Sequence, residues 1–296
     1  MSHPIYRPLV ALAICELSVG TAFGGEHQAA RPAPDKGQYH LFNPTPRDLM
    51  RPMATDRPDK TESAYTVDAG HFQFEMDLAT YTSDRDKSGG GDTRTRAWAI
   101  APVNLKLGLT NNVDLQVILD NYSQVRVEDR AAGTVERMSG FGDITARLKV
   151  NLWGNDGGKT ALAVMPFLKF PTNQDGLGNN AVEGGVIFPL AVELPHGWGL
   201  GAQAEIDVLR NADSRGYHAS FLSTISIGHD IVGNLAGYVE FFNEVSTQLD
   251  TPWVATVDIG FTYAVTDDIQ LDAGINIGVT RSAPDLNPFV GISWRF

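Results

Sequence analysis

The chain has 296 residues, 23 Lys and Arg against 35 Asp and Glu, a net charge of −12 and one cysteine. Phosphate binding needs Lys and Arg in excess, so nucleic acid is excluded as a partner. Mean hydropathy is −0.14, and no run of about 18 apolar residues follows the N-terminus, which excludes helical membrane spans but not the weaker hydropathy signal of spanning strands.

Residues 1–24 read as a secretory signal peptide: Arg7 is the positive start, Pro8–Val19 is mostly apolar, and Ala22-Phe23-Gly24 offers small residues where a signal peptidase cuts. Glu16 interrupts the apolar part, and Ile14 stands before Cys15 where a lipoprotein signal wants a small residue, which leaves lipidation as the minor alternative. Removal of the signal leaves no cysteine, and so neither disulfides nor thiol chemistry. Residues 25–64 read as a Pro-rich periplasmic arm. Pro32, Pro34, Pro44, Pro46, Pro52 and Pro58 fix φ and remove N–H donors, so this stretch cannot span as a strand. An arm folded partly into a barrel mouth is the alternative.

From residue 65 the pattern has period two, the period of a strand with unlike faces. The first predicted strand sets Phe72, Phe74, Met76 and Leu78 against Gln73, Glu75 and Asp77. A polar loop is expected over Ser83–Arg94, then Ala99, Ala101, Val103, Leu105, Leu107 and Leu109 oppose Asn104 and Lys106. After the turn at Asn111, Val113, Leu115, Val117 and Leu119 oppose Asp114, Gln116 and Asp120, and a long polar loop is expected over Ser123–Gly140. The fourth strand sets Ile144, Ala146, Leu148, Val150 and Leu152 against Asp143, Thr145, Arg147, Lys149 and Asn151. The fifth and sixth carry Leu162, Val164, Leu168 and Phe170, then Val182, Val186, Phe188, Leu190, Val192 and Leu194, with Lys169, Glu183 and Glu193 opposite. Seventh comes Trp198, Leu200, Ala202, Ala204, Ile206 and Val208 against Gln203, Glu205 and Asp207, and an eighth, Tyr217–His229, has the weakest phase. The ninth, tenth and eleventh place Glu240 and Glu244, Asp258, and Asp272 opposite rows headed by Leu235, Trp253 and Ile269. The last alternates from Phe289 onward, with Val290, Ile292, Trp294 and Phe296 on one side and Arg295 on the other.

The segments match the roughly 9–11 residues a tilted strand needs to cross a bilayer. Links after even-numbered strands are short and most of those after odd-numbered strands are long and polar, the asymmetry of an outer-membrane barrel. The expectation is an all-β, transmembrane antiparallel up-and-down β-barrel of about 12 strands over 65–296. Its apolar rows meet lipid, and an interior lined by Glu75, Asp77, Lys106, Asp114, Asp143, Arg147, Lys149, Glu205, Asp207, Glu240, Asp258, Asp272 and Arg295 holds water. Trp153, Trp198, Trp253, Trp294 and Phe296 are expected near the periplasmic ends as an aromatic girdle. With Asp120, Glu183, Glu193 and Glu244 the acidic side outnumbers the bases, Lys169 included, so a conducting lumen should prefer cations.

Thr55-Asp56-Arg57-Pro58-Asp59-Lys60-Thr61-Glu62-Ser63, Tyr65-Thr66-Val67-Asp68-Ala69-Gly70-His71-Phe72, Pro171-Thr172-Asn173, Glu183-Gly184-Gly185, and Leu271-Asp272-Ala273-Gly274 with Ser282, Pro284 and Asp285 resemble one family of bacterial outer-membrane proteins. It is the family of transporters of the phenol-degradation meta-pathway type, and the resemblance spans nearly the whole mature chain. Ala64 stands where that family favours Pro. The resemblance implies passage of small solutes, aromatic or hydrophobic ones among them, and brings no catalytic residue.

Other chemistry reads weakly. Gly154–Thr160 almost spells a phosphate loop, but its first Gly is one residue too close to Gly158-Lys159 and it enters a strand. Asn173-Gln174-Asp175-Gly176 with Asn179 and Asn180 offers oxygens to Ca²⁺ but lacks calcium-loop spacing, and reads as an ordinary outer loop. His218 with Ser220 is the nearest thing to a lipid hydrolase's pair, with no third group to orient it. No cofactor, metal or enzymatic activity is therefore assigned. The expected partners are outer-membrane lipids with lipopolysaccharide, the barrel-assembly machinery through the C-terminal strand, and a small solute. A closed barrel with structural or adhesive outer loops is the rival reading.

The terminal aromatic is expected to serve assembly recognition and the interfacial girdle at once. Phe296→Asp should therefore lower the amount of membrane-inserted, heat-modifiable protein severalfold; wild-type levels on a gel would contradict that role.

Overall fold

The computed structural model describes residues 35–296 apart from Ser214 and Asp250. The signal peptide expected over 1–24 and the first residues of the arm lie outside the described residues. Fifteen strand segments follow the arm: β1 (Phe72–Asp86), β2 (Thr93–Ile100), β3 (Val103–Thr110), β4 (Val113–Leu119), β5 (Tyr122–Asp129), β6 (Thr134–Gly140), β7 (Ile144–Trp153), β8 (Thr160–Phe170), β9 (Glu183–Glu193), β10 (Trp198–Arg210), β11 (Tyr217–Val232), β12 (Leu235–Ser246), β13 (Val254–Thr266), β14 (Ile269–Gly278) and β15 (Leu286–Arg295). They form a closed antiparallel barrel of 12 strands. Closure comes from β15 pairing with β1, Gln73 opposite Arg295 and Phe74 opposite Trp294. Large apolar residues of alternating positions, such as Leu105, Phe188, Ile225, Val239, Phe261 and Val290, point outward and are exposed. That is the row a bilayer would cover.

Fifteen segments make twelve strands because three strands are bent. β2 with β3, β4 with β5 and β6 with β7 are each one strand, interrupted at Ala101-Pro102, Asp120-Asn121 and Phe141-Gly142-Asp143. Ala101 takes φ 55°, and the Pro102 ring removes a ladder donor there. The bends lock to one another: Asn121 Nδ2 donates to the Ala101 carbonyl at 2.6 Å, and Gly142 N–H donates to the Asp120 carbonyl at 2.9 Å. Beyond this level the outer half of β1, β2, β5 and β6 continue as a four-stranded extension, and among the described residues no strand pairs with the far edge of β6. Loop 171–182 meets the base of that edge. Gln174 N–H donates to the Phe141 carbonyl at 2.9 Å, and Leu177, 1% exposed, enters an apolar cluster with Ala97, Val125, Val127 and Met138.

Several expectations need correction. The polar loops expected over Ser83–Arg94 and Ser123–Gly140 are mostly strand: β1 runs to Asp86, β2 starts at Thr93, and β5 with β6 is a hairpin. Above a membrane both faces of a ladder can be wet, so backbone pairing persists where no hydrophobic period reveals it. The stretch with the weakest phase, β11, is the longest strand at 16 residues; Leu222 lies on its inner row and Ser223 on its outer row, which blurs the period. Trp153, Trp198, Trp294 and Phe296 sit at the end with the short turns, but Trp253 precedes β13 at the opposite end.

Turns and loops thus separate cleanly: Asn111 and Asp267 lie in two-residue turns at one end, Gly90 and Asp129 at the other. Gly90→Cys or Asp129→Cys should react with a membrane-impermeant maleimide on intact cells, while Asn111→Cys or Asp267→Cys should not. Labelling of the second pair with the outer membrane intact would reverse the orientation.

Candidate functional site: a lumen closed by its own arm

At the turn end, residues 36–51 are tied to the barrel's rim. His71 bridges the Thr45 carbonyl at 2.8 Å and the Phe296 carbonyl at 2.9 Å. Phe296 is 52% exposed and tilts against Trp294 with centroids 4.6 Å apart. Arg47 pairs with Asp268, which also meets Arg295 at 2.8 Å. Arg51 is buried, its guanidinium 2.8 Å from Asn111 Oδ1, 2.9 Å from Asp156 Oδ1 and 3.1 Å from the Thr66 carbonyl. Partial burial pushes the Asp156 carboxyl up, but hydrogen bonds from Lys36 and Asn111 and the Arg51 charge hold it below the ordinary carboxylate range. The turn that resembled a phosphate loop serves this anchor instead: Asn155 accepts from Thr66 N–H at 3.1 Å.

From Arg51 onward the arm turns into the barrel, although the sequence pointed to a periplasmic arm as far as 64. Thr55, Asp56, Arg57, Asp59, Thr61, Glu62 and Ser63 are all at most 4% exposed. No period marks this segment, because it packs within a closed wall instead of on one face. Many of its polar groups find partners on the surrounding strands. Asp56 N–H donates to Glu75 at 2.8 Å, and its carboxylate pairs with Lys106 and, at 2.6 Å, with Lys149. Arg57 joins Asp77 of β1 at 2.5 Å and Asp272 of β14 at 2.7 Å. Lys60 N–H donates to Glu240 at 2.7 Å while its ammonium lies 3.4 Å from Asp258. Thr61 hydrogen-bonds Thr224 at 2.6 Å and Glu240 at 2.5 Å. Glu62 pairs with Arg147 at 2.5 Å, and Val67 N–H donates to Asp114 at 3.0 Å.

The thirteen residues read from sequence as inner are at most 9% exposed, on the inner row of the wall. Ten of them, all but Asp143, Glu205 and Asp207, are brought together around the arm by the contacts above. Glu205 and Asp207 lie beyond it on β10, near Glu244, which accepts from Ser220 at 2.6 Å. Asp143 is held instead by Asn173 N–H at 3.1 Å. His218 contacts Asn211 at 3.0 Å, so the Ser220–His218 pair considered for hydrolysis is divided between separate partners. The arm's own residues were missed. Five charges among Asp56–Glu62 were the available signal, but only the fold shows that they meet opposite charges.

The wall makes room for the arm with glycine. A Cβ at Gly108 would collide with the Asp68 carbonyl, and one at Gly291 with the Arg57 guanidinium. Along β8, β9 and β10 the inner row changes character to Ala161, Ala163 and Met165, Ile187, Pro189 and Ala191, then Gly199 and Gly201. Between this small, apolar stripe and the arm lies a cavity of about 390 Å³, lined by Met50, Ala64, Tyr65, Ala191 and Gly201 among others.

A family model described as "Putative MetA-pathway of phenol degradation" matches residues 55–296, so the match begins inside the lumen arm. The chain belongs to that family. No curated protein matches it. Among solved structures, an outer membrane channel from Pseudomonas putida aligns with a TM-score of 0.58 at 13% identity, covering 76% of this chain and 95% of that one. The translocator domain of the autotransporter NalP from Neisseria meningitidis gives 0.49 at 10% identity, covering 76% of this chain and 88% of that one. At such identities the likeness is one of fold.

Arg57 braces the arm to β1 and β14, and removing it strands Asp77 and Asp272 in the interior. Loss of one partner from a buried ion pair costs about 3–5 kcal/mol, here borne by arm docking because the ladder is untouched. Arg57→Met should expose Lys60 to trypsin in the folded barrel, and adding Asp77→Asn with Asp272→Asn should restore protection. Equal resistance of Arg57→Met and wild type would show that the brace does not hold the arm.

Proposed function

We propose that this family member is an outer-membrane channel for small solutes, directed outward by its N-terminal signal and inserted through its C-terminal strand. The carrying observation is a closed barrel, apolar outside and polar within, whose interior takes in its own arm and keeps a cavity beside it. Outer-membrane lipid and lipopolysaccharide would cover the outer apolar row. The family description and the likeness to the outer membrane channel from Pseudomonas putida agree with this reading.

The cavity of about 390 Å³ beside β8–β10 lies in the range of small-molecule sites, about 300–1,000 Å³. Ala191 and Gly201 give it an apolar side on β9 and β10, facing an arm and turn that bring Arg51, Glu62 and Asp156 to the same space. A small aromatic or otherwise apolar solute would pass the arm there with least loss of hydration. In the half beyond the arm, Glu205, Asp207 and Glu244 favour cations over anions when ions conduct.

Arg51 already touches Thr66 at 3.1 Å, so residues 53–65 can be replaced by a short Gly-Ser link without moving the barrel. In planar bilayers the wild type should conduct weakly and the arm-replaced variant severalfold more. The reversal potential in a KCl gradient should show cation preference, reduced by Asp207→Asn. Absence of conductance from both proteins would favour a closed structural barrel, and a clear anion preference would overturn the charge assignment.

A further inference from the structure

The bend in the fourth barrel strand carries a feature that neither the arm nor the channel uses. In the β4–β7 ladder Leu119 lies opposite Ile144, so the next pair along is Asp120 opposite Asp143. Both belong to the inner row. Carboxylates directly opposite one another repel, and here neither is neutralised locally. The nearest base, Lys169, is engaged with Glu183 at 2.5 Å. Asp143 is 1% exposed. Its Oδ1 accepts from Asn173 N–H at 3.1 Å and from Asn173 Nδ2 at 2.8 Å. Its Oδ2 has no partner, nor have Asp120 Oδ2 and Asn173 Oδ1, and all three are buried. A buried oxygen without a donor is costly, and three on residues that meet at the bend are a reason to look for an ion.

The surroundings fit that ion to the loop. Gly178 crosses directly over the Asp143 carboxylate, where a Cβ would strike Oδ2, and a Cβ at Gly142 would lie 2.8 Å from Asp120 Oδ2. Thr172 Oγ1 donates to the Gly142 carbonyl at 3.3 Å. The same loop inserts Leu177 above Val125 in the outer cluster. Among the described residues no set of three or more His, Cys, Asp or Glu is placed to hold a metal, so a site here must borrow an amide oxygen. Two carboxylates, an amide oxygen and water form a donor set for a hard divalent ion that tolerates irregular geometry, which favours Ca²⁺ over Mg²⁺. Of the Asn-rich stretch noted in the sequence only Asn173 takes part; Asn179 donates to Glu183 at 2.7 Å instead.

We propose that Asp120, Asp143 and Asn173 form a divalent-cation site, suited to Ca²⁺, that pins loop 171–182 over the bend and the base of β6. With so few protein ligands the affinity should be that of weak extracellular sites, a Kd on the order of 10⁻⁴–10⁻³ M. Ion binding is independent of the channel reading; only its consequence for passage rests on that reading.

The test uses the folded mature chain in detergent. Equilibrium dialysis with radiolabelled Ca²⁺ should show one saturable site, weakened at least about tenfold by Asp120→Asn. That change removes a like charge, and a heat-modifiability gel confirms its fold before binding is measured. In a second arm Val125→Cys, buried beneath Leu177, should react with a maleimide at least about tenfold more slowly in CaCl₂ than in EDTA, with MgCl₂ protecting less. Absence of saturable uptake by the folded wild type, or uptake unchanged in both Asp120→Asn and Asp143→Asn, overturns the site. A shared proton between the carboxylates gives that first outcome, with labelling indifferent to chelator. Saturable binding with an unchanged Val125→Cys rate overturns the clamp. Conductance of the arm-replaced variant is read separately, so a failure here leaves the channel proposal standing or falling by itself.

Discussion

A peptide group that enters hydrocarbon without a hydrogen-bond partner costs several kcal/mol, so every strand must be paired on both edges and the sheet must close. The Gln73–Arg295 and Phe74–Trp294 pairings that join the first strand to the last are where this demand is met. Much else follows from it. Side chains alternate, so closure sorts them into an outer row for lipid and an inner row that lipid never reaches. Carboxylates such as Glu75, Asp258 and Glu240, intolerable on the outer face, become admissible inside.

Closure also creates a second demand, because a barrel interior with charges must either hold water or satisfy them. The arm answers it in the turn-end half. Its bases reach acids of the wall, Arg57 spanning β1 and β14 across β15, while its acids reach Lys106, Lys149 and Arg147 on β3 and β7. Buried ion pairs need not add stability over an apolar filling, but they are unforgiving of a wrong register. They therefore fix where the arm lies more than how firmly the barrel folds. The small-residue stripe on β8–β10 offers the arm no ion pair, and the cavity lies between its Ala191 and Gly201 and the arm.

The loop end obeys a different constraint. Above the bends the ladder leaves the bilayer and both faces can be wet, so strands continue without an amphipathic pattern. The free edge of β6 is the consequence of strands that bend apart. Exposed edges attract unwanted pairing, and loop 171–182 meets the base of this one with a backbone hydrogen bond to Phe141 and lays Leu177 on the adjoining sheet. The carboxylates of Asp120 and Asp143 lie where that loop meets the wall.

Period-two alternation in the sequence decided the barrel, its strand number and the inner residues of the spanning strands, since that period is a local property set by burial on one face. Ser83–Asp86 and Tyr122–Gly140 were illegible as strands for the same reason: with water on both faces no period is imposed. The arm was illegible in another way. Asp56, Arg57, Lys60 and Glu62 look like a solvated run beside prolines, and nothing local separates a charge that meets water from one that meets Asp272, more than two hundred residues away. Asp120 and Asp143 each read as an inner carboxylate, yet their opposition depends on the β4–β7 register. The sequence by itself determined which face each side chain takes, because that needs only the alternation of the backbone. Which charge meets which was decided by closure, which brings distant strands around one arm.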